Sequence, residues 1–182
     1  MFLVVGNKQS LLISDSIAKH VTGVEDLVVR PFPGRTIGGL AREVSSSKSL
    51  QRDIESANIV IVHVGTNDIF NLHFEDFPSA LNNLFGVIRN VKLNVKLCYS
   101  AILPRPVDLR QSKSLVINAN NRVRRFCKYR RITYLQSFRP FVQKNGEPHR
   151  HMFAVRDGGL HLNTEGSRVL SNFYRQVLNS MK

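Results

Sequence analysis

Four short stretches of this chain hold the residue types that acyl transfer uses. That chemistry needs a hydroxyl to attack, a base to take its proton, an acid to orient the base and N–H donors to hold the oxyanion. Ser14-Asp15-Ser16 offers the hydroxyl. Ser16 stands between an apolar run and a helical pattern, where helix-start N–H groups are unpaired and their dipole favours negative charge. Gly34 closes the turn Pro31-Phe32-Pro33-Gly34, and a glycine lets the backbone present its N–H close to a ligand. Gly65-Thr66-Asn67-Asp68 adds the side-chain amide of Asn67 as a further donor. Asp157-Gly158-Gly159-Leu160-His161 supplies an imidazole, the usual general base near neutral pH, with a carboxylate nearby to fix its tautomer. Taken singly, each stretch has an ordinary explanation: Ser and Asp cap helices, and Gly, Asn and Asp form turns. It is their joint occurrence, three of them at strand ends, that points to ester chemistry.

The elements between these stretches are the ones that position them. Apolar runs at 10–14, 26–30, 59–64, 96–103 and 132–135 read as five strands, closed by Pro31, Gly65 and Pro104. Helical spacing predicts a helix from Thr36 with Ile37, Leu40, Ala41 and Val44 inward, and a further helical stretch over 50–57. It also predicts helices over 76–91 (Phe77, Leu81, Leu84, Phe85, Ile88), 113–128 (Leu115, Val116, Ala119, Val123) and 164–181 (Val169, Leu170, Phe173, Val177). Asn163 and Thr164 read as caps of the last one. Strands alternating with helices predict a single α/β domain over 1–182, a three-layer sandwich around a five-stranded parallel sheet. In such sheets ligands sit beyond the carboxyl ends of the strands, where Ser16, Gly34 and Asn67 all fall.

Composition narrows the class. The 182 residues are 42% hydrophobic, enough for a core. No apolar run approaches the roughly 20 residues that span a bilayer, and the start, with an apolar run only over 2–5, lacks the pattern of a secretory leader. Cys98 and Cys127 read as buried free thiols, which places the chain in a reducing compartment, the cytoplasm. His149 and His151 read as loop residues, and no cysteine–histidine spacing predicts a metal site. The net charge of +13 is unevenly spread, with about +1 in residues 1–100 and +12 in the rest. Arg122, Arg124, Arg125, Lys128, Arg130 and Arg131 cluster on or just after one helix. They read either as a solvated face or as a surface for a polyanion, RNA or an anionic lipid surface.

In the order and wording of its four blocks the chain resembles the SGNH hydrolases, also called GDSL-type esterases. The blocks correspond to Ser14-Asp15-Ser16, Gly34, Gly65-Thr66-Asn67-Asp68 and Asp157 to His161. The resemblance implies a flavodoxin-like α/β/α fold and two-step ester hydrolysis without metal or organic cofactor. Ser16 would be the nucleophile, His161 the base and Asp157 its orienting acid. The N–H groups of Ser16 and Gly34, with the Asn67 side chain, would form the oxyanion hole. Two departures stand out. Ser14 replaces the usual glycine, and three residues rather than two separate Asp157 from His161. Either one glycine is inserted, or Gly158 takes the acid's place and leaves a Ser–His dyad; the flexible Gly158-Gly159 pair favours insertion. More narrowly, the wording at 63–68, 101–106, 118–122 and 159–163 is similar to esterase domains in the first-open-reading-frame proteins of LINE-type retrotransposons. That likeness implies short acyl esters as substrates and an RNA setting.

Overall fold

The structure, a computed structural model, describes residues 9–181; the apolar run 2–5 and the leader reading lie outside them. Five parallel strands form one sheet in the order β2-β1-β3-β4-β5: β1 Ser10–Ser14, β2 Leu27–Pro31, β3 Ile59–His63, β4 Lys96–Ser100 and β5 Thr133–Leu135. This is the flavodoxin-like order, with a topological switch between β1 and β3. Alternation of side chains along the strands splits the core in two. Leu11, Ile13, Val60, Val62, Leu97 and Tyr99 face α1 (Ile37–Ser46), α2 (Lys48–Ser56), α3 (Phe77–Val91) and α4 (Leu109–Tyr129). Leu12, Ile61 and Cys98 face α5 (Thr164–Ser180). The second outer layer is therefore one helix plus irregular chain, with Ile17, Phe141, Phe153 and Leu162 completing its core. No helix among the described residues is long and apolar enough to cross a membrane.

Among the boundaries that differ from the sequence reading, those of β2, β4 and α4 each have a local reason. β2 starts at Leu27 because Asp26 turns with φ of 58°, and it continues onto Pro31. A proline fits there because β2 is an edge strand, where a missing N–H breaks no ladder. β4 stops at Ser100 rather than 103, since its neighbour β5 is only three residues long. The buried backbone of Ile102 is satisfied instead by Asn120, whose side-chain amide accepts from its N–H and donates to its carbonyl, both at 2.9 Å. α4 begins four residues early, straight after a 3-10 turn at Pro106–Asp108.

The buried face of α5 is also rotated. Leu170, Tyr174 and Leu178 are buried, while Val169, Phe173 and Val177 only flank the core. Tyr174 turns inward because its hydroxyl finds partners: His63 Nδ1 at 2.7 Å and Ser100 Oγ at 2.9 Å. Ser100 donates in turn to Ser137, and Ser137 to the Ala101 carbonyl. With the Tyr174 proton spent on Ser100, His63 Nδ1 donates to the Tyr174 oxygen, and burial holds the imidazole's pKa down at about 4.

Candidate active site

Beyond Ser14 the chain leaves β1 but stays tied to the sheet, as the Asp15 N–H donates to the His63 carbonyl of β3 at 3.1 Å. The Asp15 carboxylate then accepts from the Ile17 N–H at 2.9 Å and caps the single 3-10 turn Ser16–Ala18. Because Asp15 serves as the cap, the Ser16 hydroxyl is released from that role. It meets His161 Nε2 at 2.9 Å. On the far side of the ring, His161 Nδ1 lies 2.7 Å from Asp157 Oδ2. A carboxylate at that distance holds the proton on Nδ1, so Nε2 faces the serine as an acceptor.

Asp157 does span the five-residue stretch to His161. Gly158 and Gly159 take up the added residue with φ of 70° and 94°, in the left-handed region open to glycine. Gly159 also packs tightly: a Cβ there would stand 2.7 Å from Pro106 Cβ. The other oxygen of Asp157 accepts from the N–H groups of Gly159, Leu160 and His161 at 3.1, 3.0 and 3.4 Å. Partial desolvation pushes the Asp157 pKa up, but the His161 bond and these three N–H groups outweigh it and hold the carboxyl below its ordinary range.

Gly34 adopts φ of 75° in an exposed turn beyond β2. The N–H groups of Ser16 and Gly34 have no hydrogen-bond partner among the described residues. Asn67 is half-buried, and its amide donates to the Arg35 carbonyl at 2.9 Å, which ties the β3 turn to the Gly34 turn and leaves its second amide hydrogen for a ligand. A hydroxyl, an oriented imidazole and unpaired N–H groups at the ends of β1, β2 and β3 are the parts that ester cleavage requires.

A model of the GDSL-like lipase/acylhydrolase family matches residues 11–169. The chain belongs to this family. Family membership makes it a hydrolase of the esterase and lipase kind. Among solved structures, a GDSL-like lipase from Bacteroides thetaiotaomicron is similar with a TM-score of 0.75 at 14% identity, over 96% of this chain and 89% of that one. A lipase/acylhydrolase from Enterococcus faecalis gives 0.70 at 12%, over 95% and 96%. A mutant of an acetyl-xylooligosaccharide esterase from a Geobacillus also gives 0.70 at 12%, over 94% of each chain. At these identities the likeness is one of fold. Comparison with curated proteins gives no significant match.

Three residues that shape this GDSL-family site carried no role in the sequence reading. Asp68 accepts from the Ile37 N–H at 3.1 and 3.3 Å and so anchors the start of α1; burial raises its pKa to about 6. Asp15, 1% exposed, is raised to about 7, first by desolvation and then by the neighbouring Asp68. Arg105 donates to the Thr66 carbonyl at 2.8 Å, forks onto Asp108 and lies over the Phe70 ring. Strand-end carboxylates were the available signal for the first two. Arg105 had none beyond its local pair with Asp108, because Thr66 and Phe70, the partners that bring it to the site, are distant in sequence.

The basic cluster stands elsewhere, on α4 and just after it. Arg122 is half-buried and paired with Glu75. Arg124, Arg125, Lys128, Arg130 and Arg131 are exposed. None of the six hydrogen-bonds to Ser16, His161 or Asp157. Lys128 also complements the negative end of the α4 dipole. Cys98 and Cys127 are free and buried, and burial pushes their thiols up to about 11 and about 12.

Proposed function

We propose that this GDSL-family hydrolase cleaves short, acetyl-type acyl esters through an acyl-enzyme on Ser16. The observation that carries the reading is the unbroken line Ser16 Oγ–His161 Nε2–His161 Nδ1–Asp157 Oδ2, with steps of 2.9 and 2.7 Å. His161 takes the hydroxyl proton as Ser16 Oγ bonds to the ester carbonyl carbon. The resulting oxyanion is held by the N–H groups of Ser16 and Gly34 and by the amide of Asn67. Collapse expels the alcohol, which leaves with the proton from His161. Water, deprotonated by the same imidazole, then releases the acid and restores Ser16. Asp157 keeps the tautomer and steadies the imidazolium. The acetyl preference draws support from the acetyl-xylooligosaccharide esterase among the structural relatives. The test is covalent labelling by an organophosphonate together with hydrolysis of an acetyl ester. Ser16→Ala removes both; activity surviving in that variant overturns the assignment.

A second role is compatible with the first: contact with RNA, in a retrotransposon ribonucleoprotein of the cytoplasm, through Arg124, Arg125, Lys128, Arg130 and Arg131. Their exposure, with no acidic partner among the described residues, favours it. RNA affinity that falls steeply with salt, and less steeply once these charges are removed, supports this role; a salt-insensitive interaction counts against it.

A further inference from the structure

A groove of about 740 Å³, whose lining holds none of Ser16, Asp157 and His161, is walled by the segment after the Ser16 turn, residues flanking the Asp157–His161 loop and α5 from Thr164 to Arg175. Its charged groups are of one sign. Arg156, Arg168 and Arg175 line it, and no carboxylate does. Thr164 and Ser167 add hydroxyls from the first turns of α5. The one acidic residue of the first turn, Glu165, lies outside this lining, 3.7 Å from His151.

The walls are held in place before any ligand arrives. The Thr22 N–H donates to Ser171 Oγ at 3.2 Å, and Ser171 donates to the Ser167 carbonyl at 2.8 Å. Arg175 is fixed by Asn172 and by the Gly23 carbonyl at 2.8 Å. Arg156 and Arg168 are exposed and have no ion-pair partner among the described residues, so their forks are left for a ligand. Three guanidinium groups around one concavity repel one another until a multiply charged anion enters, and their planar forks match tetrahedral oxyanions.

Size and lining decide the class. The volume falls within the roughly 300–1,000 Å³ of small-molecule sites, and it exceeds what a single phosphate group would fill. Single-stranded nucleic acid is gripped by stacking bases on aromatic side chains, and no Phe or Tyr lines this groove. We propose that the groove binds a compact small molecule carrying at least two phosphate groups. The site is separate from the Ser16 chemistry and from the basic end of α4.

Calorimetric titration with inorganic tripolyphosphate tests this on three proteins: the unaltered chain, the double variant Arg156→Gln/Arg168→Gln, and the control Arg124→Gln/Arg125→Gln with the same charge removed from α4. Saturable binding at one site is expected in the first and third, weakened about tenfold or more in the groove variant. Absent saturation, or equal weakening in both variants, overturns the proposal by reducing the effect to bulk charge. A single-stranded RNA oligonucleotide that outcompetes tripolyphosphate at the groove overturns the compact-ligand class. Organophosphonate labelling of the same samples keeps the outcomes apart, since labelling reads Ser16 and titration reads the groove.

Discussion

Ser16 and His161 meet at 2.9 Å, yet they are delivered by two different kinds of structure. The serine side belongs to the sheet. All five residues of β1 are buried, Asp15 is bonded to β3, and beneath them runs the hydrogen-bonded chain His63–Tyr174–Ser100–Ser137. The histidine side belongs to irregular chain with only short 3-10 turns and two isolated bridges, Val142 with Pro148 and Phe153 with Leu162. Its order comes from one carboxylate collecting three N–H groups and from two glycines fitted against Pro106 and Val107. Where a side chain is placed by the core, moving it means disturbing the core. Where it is placed by a loop, a small local change can spoil the chemistry and leave the fold intact. Changes to the residues that position His161 should thus cost activity first, and changes to those that position Ser16 stability first.

The largest separation of the two costs is expected at Asp157. Asp157→Asn keeps the shape but removes the charge and the reason for the proton to sit on Nδ1. Turnover should fall roughly 10⁴-fold, as loss of the orienting carboxylate costs in serine hydrolases. The melting temperature should change little, because Asp157 is part-exposed and an amide oxygen can still accept from the loop N–H groups. Turnover close to the unaltered enzyme would mean that the five-residue spacing does without the acid.

Gly159→Ala tests the fit of the loop. A Cβ 2.7 Å from Pro106 Cβ, on backbone at φ of 94°, cannot be housed without a shift. An ångström of displacement at the imidazole costs about 10²-fold in turnover. Crowding of this kind costs about 1–3 kcal/mol in stability. Turnover measured well below the melting point separates the two; unchanged turnover would show that the loop yields without carrying His161 along.

The same division explains what the sequence made legible. The apolar runs of β1, β3 and the helix faces of α1, α3 and α4 carry periodicity that any core imposes, so element order and the parallel sheet follow from them. Ser16, Gly34 and Asn67 were readable as residues beyond strand ends. The reach of Asp157 was readable only as a preference drawn from the Gly158-Gly159 pair, since the two glycine dihedrals that decide it are not encoded in any pattern. The α5 face was misjudged because Tyr174 is buried through its partners His63 and Ser100, which lie far away in sequence. A cap within Ser14-Asp15-Ser16 was readable, but that Asp15 rather than Ser16 fills it rests on burial and hydrogen bonding that residue type does not reveal.

The smallest expected effect lies on the serine side, and its sign is the informative part. Asp15 is buried with one oxygen unpartnered, and its pKa is raised from 3.8 to about 7. The folded state therefore binds this proton more tightly than the unfolded chain does. Its contribution to stability is complete below about pH 4 and is lost as pH rises through about 7. His63 acts the other way: its imidazole stays neutral when folded down to about pH 4, so stability is lost as pH falls below about 6.5. Asp157, held below its ordinary range, likewise supports the fold at neutral pH and ceases to do so in acid. Comparing Asp15→Asn with the unaltered protein cancels the last two. Asparagine keeps the acceptor for the Ile17 N–H and stays neutral at every pH. The melting temperature of the variant relative to the unaltered protein should thus climb from pH 4 to pH 8, while a difference that stays flat over that range would mean Asp15 is charged and paired in the fold, which would move the electrostatic strain of the serine side onto Asp68.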